Sequence, residues 1–405
     1  MKVKQGIARS LSPILAVAMF LLTCPQARAA DPRSDVVGKV TVGYQGWFSC
    51  QGDNSPVNDW AHQNLEMWPD LSEYKTTYES AVKMADGKPA RMFSSYDDQV
   101  VQTHFKWMAQ SGIDGAALQR FANEIKPASN IKAQRDGMAR KVMKAAELAD
   151  RKFYIMYDCS GWGVRGMKED WKDTIIATLH LTASAAYAQQ NGKPVVCIYG
   201  IGYKNWPATA AEAADLVNWF KQQGCYVIGS VPGSWRTDNG DSRPDFGDVY
   251  ASFNMLSAWA VGRIMDDNYP NWIQGDAALC KEHKIDYQPC LYPGTSFFNS
   301  NGSKKNLIPR KNGDFMWAQF VTLRENDVGT AYIAMFDELN EATSIFKCAP
   351  DAGSLPVGKW FLPLDADGTH VSSDFYLRLT DDGGKMIKNL TPLRKQCPTP
   401  YVAAK

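Results

Sequence analysis

The chain has 405 residues and 45% hydrophobic content, too apolar for a disordered chain and long enough to bury one large core or two modest ones. Its 44 basic and 43 acidic residues leave a formal net charge of +1. Without long runs of either sign, the chain has no electrostatic footprint for nucleic acid or an anionic membrane, and a neutral ligand suits it better.

The N-terminus carries Lys2, Lys4 and Arg9, then an apolar stretch from Pro13 to Leu22, then the small-residue site Ala27-Arg28-Ala29. That order predicts a secretory signal peptide over 1–29, and a secreted or periplasmic mature protein. The apolar stretch is shorter than the roughly 20 residues that span a bilayer, and no later segment is predicted to span. Residues 30–400 contain no low-complexity linker and no internal repeat, which predicts one domain.

Strands are predicted at "KVTVGYQGWF" (39–48) and "ARMFSSYD" (90–97), followed by a helix over 100–112 that ends at a glycine. Next come a strand at 113–121, a helix at 137–152, a strand at 153–162 and a long helix over 170–193. A strand at 194–203, a helix at 209–224 and a strand at 225–235 continue the alternation. Apolar segments at 249–263, 285–294 and 329–341 complete the series, with a last helix over 372–390. About eight strands, most followed by a helix, define an α/β chain of parallel βαβ units. The count favours a single closed (β/α)₈ TIM-type barrel, for which about 250 residues plus insertions is usual. A doubly wound sheet is the alternative, but the turn after its first strand would be "GYQGWFSCQG", whose aromatics block a pyrophosphate.

Eight cysteines follow the leader, an even number that permits disulfides in an exported chain. Cys159, Cys197 and Cys225 lie in or beside apolar strands, where a free thiol behaves as a small hydrophobe. A Cys348–Cys397 bridge is the expected pairing, since it would tie the tail to the body. There is no C-x-x-C, and the five histidines are scattered, so no metal site is expected. "TDNGD" (237–241) and "LDADG" (364–368) lack the later bidentate glutamate of a calcium loop and read as turns. Neither a G-x-S-x-G turn, a Walker loop nor H-E-x-x-H occurs, and no cofactor is expected.

Catalytic groups in such barrels stand at the C-terminal ends of the strands. Those ends also carry Gln45 and Gln119, and supply Tyr44, Trp47, Tyr96, Asp97, Arg120, Asp158, Trp162, Tyr199, Trp235, Trp259 and Asp337 as the candidate substrate-binding residues. Aromatic faces that pack on sugar C–H faces, mixed with amides and carboxylates for hydroxyls, suit an oligo- or polysaccharide. The catalytic candidates are Glu338 and Glu341 in "AYIAMFDELNEATSIF" (331–346). Residues three apart on a strand face opposite ways, so these glutamates converge only if the strand ends between Phe336 and Glu341. The competing reading is a helix start capped by Asp337 or Asn340.

"MFDELNEATSIF" resembles the strand-eight signature of glycoside hydrolase family 99 and its relative family 71, an E-x-x-E-G-T pattern. "GYQGWF", "FSSYDDQVVQTHFKWMAQSGIDG" (93–115), "YPGTSFFN" (292–299) and "IPRKNGDFMWAQ" (308–319) agree in order. The resemblance implies a (β/α)₈ glycosidase acting on an α-linked glycan, as family 99 endo-mannosidases and family 71 α-1,3-glucanases do. It implies Glu341 as the acid and Glu338 as a base on the sugar's own 2-hydroxyl, with retention through an anhydro-sugar. Leu339 stands where family 99 has an aromatic, and Ala342 where it has glycine, beside the pair that would do the chemistry. Both glutamates would open into one cleft with Tyr44, Asp97 and Trp162. The rival function is an exported glycan-binding barrel without turnover; a monomer is expected in either case.

Overall fold

The computed structural model describes Met1 and residues 34–403 except 238, 266 and 267. The predicted signal peptide falls outside the described residues.

Twelve strands form among the described residues. They are β1 (Val40–Tyr44), β2 (Tyr78–Lys83), β3 (Pro89–Met92), β4 (Gly115–Phe121), β5 (Lys152–Asp158) and β6 (Gln189–Gln190), then β7 (Lys193–Tyr199), β8 (Tyr226–Val231), β9 (Met255–Ala258), β10 (Asp286–Tyr287), β11 (Cys290–Leu291) and β12 (Ala331–Ile333). Nine of them make a curled, parallel, TIM-type sheet in the order β10-β9-β8-β7-β5-β4-β1-β12-β11, with β6 antiparallel on β7. Every residue of β1, β8, β9 and β12 is buried, as expected for parallel strands covered on both faces.

The two ends of this path, β10 and β11, are separated in sequence only by Gln288 and Pro289. The Gln288 N–H donates to Leu256 O (2.9 Å), while Pro289 O accepts from the Tyr332 N–H (3.0 Å). Proline has no N–H to give a ladder, which accounts for the break.

Helices pack outside. The helix Asp98–Gln110 ends before Gly112, which takes a left-handed φ of 62°. The helix Ala210–Gln222 starts at a reciprocal capping box of Thr209 and Glu212. Ser129 caps the helix Asn130–Ala149 by accepting from the Lys132 N–H, so this helix begins well before the predicted 137.

Four expectations are corrected. The stretch 90–97 is not a barrel strand: β3 pairs antiparallel with β2 alone. Its alternating exposure marks a strand covered on one face, and the second barrel strand is β4. No long helix spans 170–193; wide turns over Asp170–Ile176 give way at His180, whose φ is 52°, to a 3₁₀ turn and β6. The segment 249–263 is a helix Gly247–Ala251 followed by β9. Finally, Cys348 and Cys397 are free thiols. Cys348 is wholly buried with its Sγ 3.4 Å from Ser344 Oγ, and polar bonds fasten the tail instead: Trp317 Nε1 to Arg394 O, Thr399 Oγ1 to Asp382, and Arg378 to Pro400 O.

Candidate active site

Directly paired residues of neighbouring strands share a face. The register pairs Asp158 with Tyr199, Tyr199 with Ser230, and Ser230 with Ser257. Gln119 joins that face by donating its amide N–H to Asp158 Oδ2. On the opposite parity, Arg120 pairs with Tyr157, and both turn toward the helices. The inner face therefore carries, from bottom to top, Thr41 and Tyr154 (3.4 Å apart) with Gln288, then Met156, Tyr332 and Met335 in sulfur–hydroxyl contact. Above them stands a polar and aromatic ring at the strand ends.

Glu338 belongs to that ring. It is 6% exposed; its Oε1 accepts from Gln45 Nε2 (3.2 Å) and its Oε2 from Thr343 Oγ1 (3.4 Å). β12 ends at Ile333, and a 3₁₀ turn over Leu339–Glu341 follows, so the chain does bend between the two glutamates. The turn is held from below: the Ser296 N–H (3.0 Å) and Thr295 Oγ1 (2.7 Å) donate to Glu341 O, and buried Arg310 donates to Ala342 O and Ser344 O. Burial pushes the Glu341 carboxyl up to about 7. Glu338 is raised well above the carboxylate range by burial, then by the charges of Glu341 and Asp337. Two carboxyls in one dry site cannot both ionise freely, so the pair holds a proton into the neutral range.

The turn ends at Ala342 with φ 53°, left-handed backbone that favours glycine. This is why glycine suits the position in the E-x-x-E-G pattern. Ala342→Gly is expected to stabilise the fold by about 1 kcal/mol, read as a higher urea midpoint with unchanged slope.

Other sequence candidates fall in different places. Asp158 (2% exposed) sits on the inner ring, with its second oxygen accepting from the Ser160 N–H (2.7 Å), and burial raises its carboxyl. Tyr199 and Trp259 form an inner aromatic wall with ring centroids 4.8 Å apart. The Tyr199 hydroxyl is raised by burial, then by Tyr203, Asp158 and Glu341. Trp47 lies between His62 (4.1 Å, 7°) and Phe121 (5.7 Å, 14°). Among the described residues, no group bonds Trp47 Nε1 or Gln45 Oε1, although both are buried. Trp162 lies in the loop after β5 with Lys126 Nζ 4.1 Å from its ring.

Six candidates are placed away from the ring. Tyr44 is wholly buried; its hydroxyl bonds His104 Nδ1 (2.9 Å), whose Nε2 bonds Tyr74 (2.7 Å). It cannot share a cleft with the glutamates because an aromatic cluster encloses it. Asp337 is also wholly buried, its two oxygens accepting from the Gln45 (2.8 Å) and Gly46 (2.9 Å) N–H groups. Burial raises this carboxyl to about 6 against those bonds. Its effect is to fix the Gln45 backbone, and so the amide that meets Glu338. Arg120 is locked on the helix side by Asp170 and Asp136 (all 2.6–2.7 Å). Trp235 is 5% exposed against Tyr250. Tyr96 packs beneath Lys141 (4.5 Å), and Asp97 accepts from Tyr78 of the hairpin (3.2 Å).

Sequence reasoning missed Trp206, which stacks on Tyr203 (4.6 Å, 28°) and meets Tyr199 edge-on (5.4 Å); its spacing three residues beyond Tyr203 was the available signal. Thr343 and Arg310, which act on the glutamate turn, carry no signal of their own. Among the described residues no cluster of three or more potential metal ligands occurs, and no helix is long and apolar enough to cross a membrane.

No family model matches this chain, nor does any curated protein sequence. Solved structures do. The GH99 endo-alpha-mannosidase from Bacteroides thetaiotaomicron in complex with Bis-Tris propane is similar at 14% identity and TM-score 0.64, covering 88% of this chain and 98% of that one. A second structure of that enzyme gives 14% and 0.62 over 87% and 98%. A glycoside hydrolase-like protein gives 14% and 0.50 over 87% and 95%. The chain is thus GH99-like in fold over most of its length.

Proposed function

We propose that this protein is an exported glycoside hydrolase that cleaves an α-linked glycan, with Glu338 as base and Glu341 as acid. The observation that carries the reading is the pair itself: two carboxyls on the turn after the last strand, Glu338 buried and Glu341 partly so, both held toward the protonated form. Glycoside hydrolysis needs one carboxylic acid and one carboxylate at the same bond. The likeness to a GH99 endo-alpha-mannosidase and the E-x-x-E stretch support the same assignment. We also take 286–291 as one seventh strand, which closes an eight-stranded (β/α)₈ barrel and makes 30–400 a single catalytic domain. A monomer suffices, since all these groups come from one chain.

Hydrogen bonds to a carboxylate favour its charged form. Gln45 and Thr343 both donate to Glu338, and on that ground we assign Glu338 the charge of the one-proton state and Glu341 the proton, although burial and the neighbouring charges raise Glu338 the further of the two. Glu338 takes the proton of the sugar 2-hydroxyl as that oxygen bonds to the anomeric carbon; the glycosidic bond breaks, and Glu341 protonates the departing oxygen. Water then attacks the anomeric carbon of the anhydro-sugar, gives its proton to Glu341, and the 2-oxygen recovers its proton from Glu338. Tyr199 and Trp259 are the proposed sugar platforms, with Asp158 for hydroxyls; Trp47, stacked between His62 and Phe121, offers its Nε1 alone, and Gln45 Oε1 is also free to accept. Trp162 is the proposed outer contact.

The pH–rate profile tests the acid. A general acid acts only while protonated, so kcat/KM is expected to fall as pH rises through about 7, where Glu341 loses its proton. Activated aryl glycosides need little protonation of the leaving group, so with them Glu341→Gln should retain activity and lack that alkaline limb. An unchanged limb in Glu341→Gln would reassign the acid.

A further inference from the structure

A cavity of about 600 Å³ is not lined by Glu338 or Glu341. Three of its aromatic wall residues, Trp60, Phe298 and Trp360, are half-buried and so present ring surface, while Trp68 lies deeper at 5% exposed. Between the rings stand the amides Gln63 and Asn64; Lys359 lies on the wall, and Lys305 Nζ stands 4.9 Å from the Phe298 ring and 5.7 Å from the Trp360 ring. The volume lies within the range of small-molecule sites, roughly 300–1,000 Å³. Flat rings interleaved with amides, with no carboxylate in the lining, match a sugar without cationic groups, which offers C–H faces and hydroxyls together.

The cavity is joined to the glutamate turn by hydrogen bonds. Asn340 Nδ2, next to Glu341, donates to His62 O (2.8 Å) and Asn64 O (3.2 Å). Asn64 Nδ2 donates to Asn299 O (2.8 Å), and Asn299 Nδ2 to Leu65 O (2.7 Å) and Trp360 O (2.8 Å). Buried Glu66 fixes the same loop, accepting from Ser296 Oγ (2.8 Å) and the Asn299 and Ser300 N–H groups. β2, which pairs with the β3 segment that the sequence had suggested as a barrel strand, supplies a further part of the wall at Ser80–Val82.

From this lining and this continuity we infer that the cavity is a second, non-catalytic binding site for a stretch of the polysaccharide, distant from the linkage cut at Glu338 and Glu341. The inference rests on the proposed hydrolase reading for its choice of ligand. The site would hold the long substrate without contributing to bond cleavage.

Trp360→Ala, with Trp60→Ala as a second variant in case the first unfolds, tests this in two arms. In the first, KM for a soluble long α-mannan or α-glucan is expected to rise about tenfold, the equivalent of about 1.4 kcal/mol, with kcat and the rate on a short aryl glycoside unchanged. In the second, each change is made in Glu341→Gln and migration is followed in native gels containing the same polysaccharides; the parent is expected to be retarded and the double variants not. Cleavage by the wild type, with a KM for the long polysaccharide that is unchanged in folded variants, overturns the cavity site and leaves the hydrolase reading standing. Retardation lost in the variants of a protein that cleaves nothing supports the site and removes the hydrolase reading. Equal retardation of parent and variants, or none for either, overturns the site.

Discussion

Glu338→Gln and Glu341→Gln are each expected to cut turnover of a natural glycan by on the order of 10²–10⁴, the contribution of acid/base catalysis, while leaving fold and glycan binding intact. Glutamine keeps the shape of the side chain but cannot exchange the reacting proton. The two variants should differ in rescue: a good leaving group restores Glu341→Gln in part and leaves Glu338→Gln inactive. Removal of either carboxyl also relieves its partner of a like charge, so each variant should be at least as stable as the wild type at pH 7. Full activity in both would return the pair to the helix-cap role that its spacing also allows.

The second large effect is on stability and concerns Arg120. Its guanidinium is 2% exposed between Asp170, equally buried, and Asp136, with the Tyr157 hydroxyl on the same Asp170 (2.8 Å). Arg120→Met strands a buried carboxylate, a change that costs roughly 3–5 kcal/mol. The lower end is expected, because Lys132 Nζ stands 3.8 Å from Asp170 and can take up part of the charge. Asp170→Asn added to Arg120→Met should recover part of the loss, since no uncompensated charge then remains. Urea unfolding reads both. If Arg120 bound substrate instead, Arg120→Met would keep its midpoint and lose only activity.

Arg120 also shows where the sequence was legible and where it was not. The strand 115–121 was readable from its apolar run, and its end from the polar residues that follow. Which of two adjacent polar residues faces the site depends on register, and register is set by pairing between strands distant in sequence. Gln119 took the inner position. Tyr44 was misplaced for the same reason, since β1 turns Gly43 and Gln45 inward and Tyr44 toward His104. The hairpin misread as a barrel strand differs from one only in what covers it, and coverage is a tertiary fact. The E-x-x-E stretch was more legible because its chemistry and its place after the last strand are both local. The aromatic cavity was not legible, as Trp60 and Trp360 lie in loops, Phe298 opens a four-residue helix, and the three are far apart in sequence and belong to no periodic pattern.

The central claim is that Glu338 and Glu341 cleave a glycosidic bond. It is tested most directly by incubating the purified protein, with Glu338→Gln in parallel, with α-mannans, α-glucans and arabinose- or xylose-containing polysaccharides and analysing the soluble products. The account predicts oligosaccharides released from an α-linked glycan by the wild type and none by Glu338→Gln. A wild type that binds such a glycan and releases nothing from it, or a Glu338→Gln variant that releases products as fast as the wild type, would contradict it.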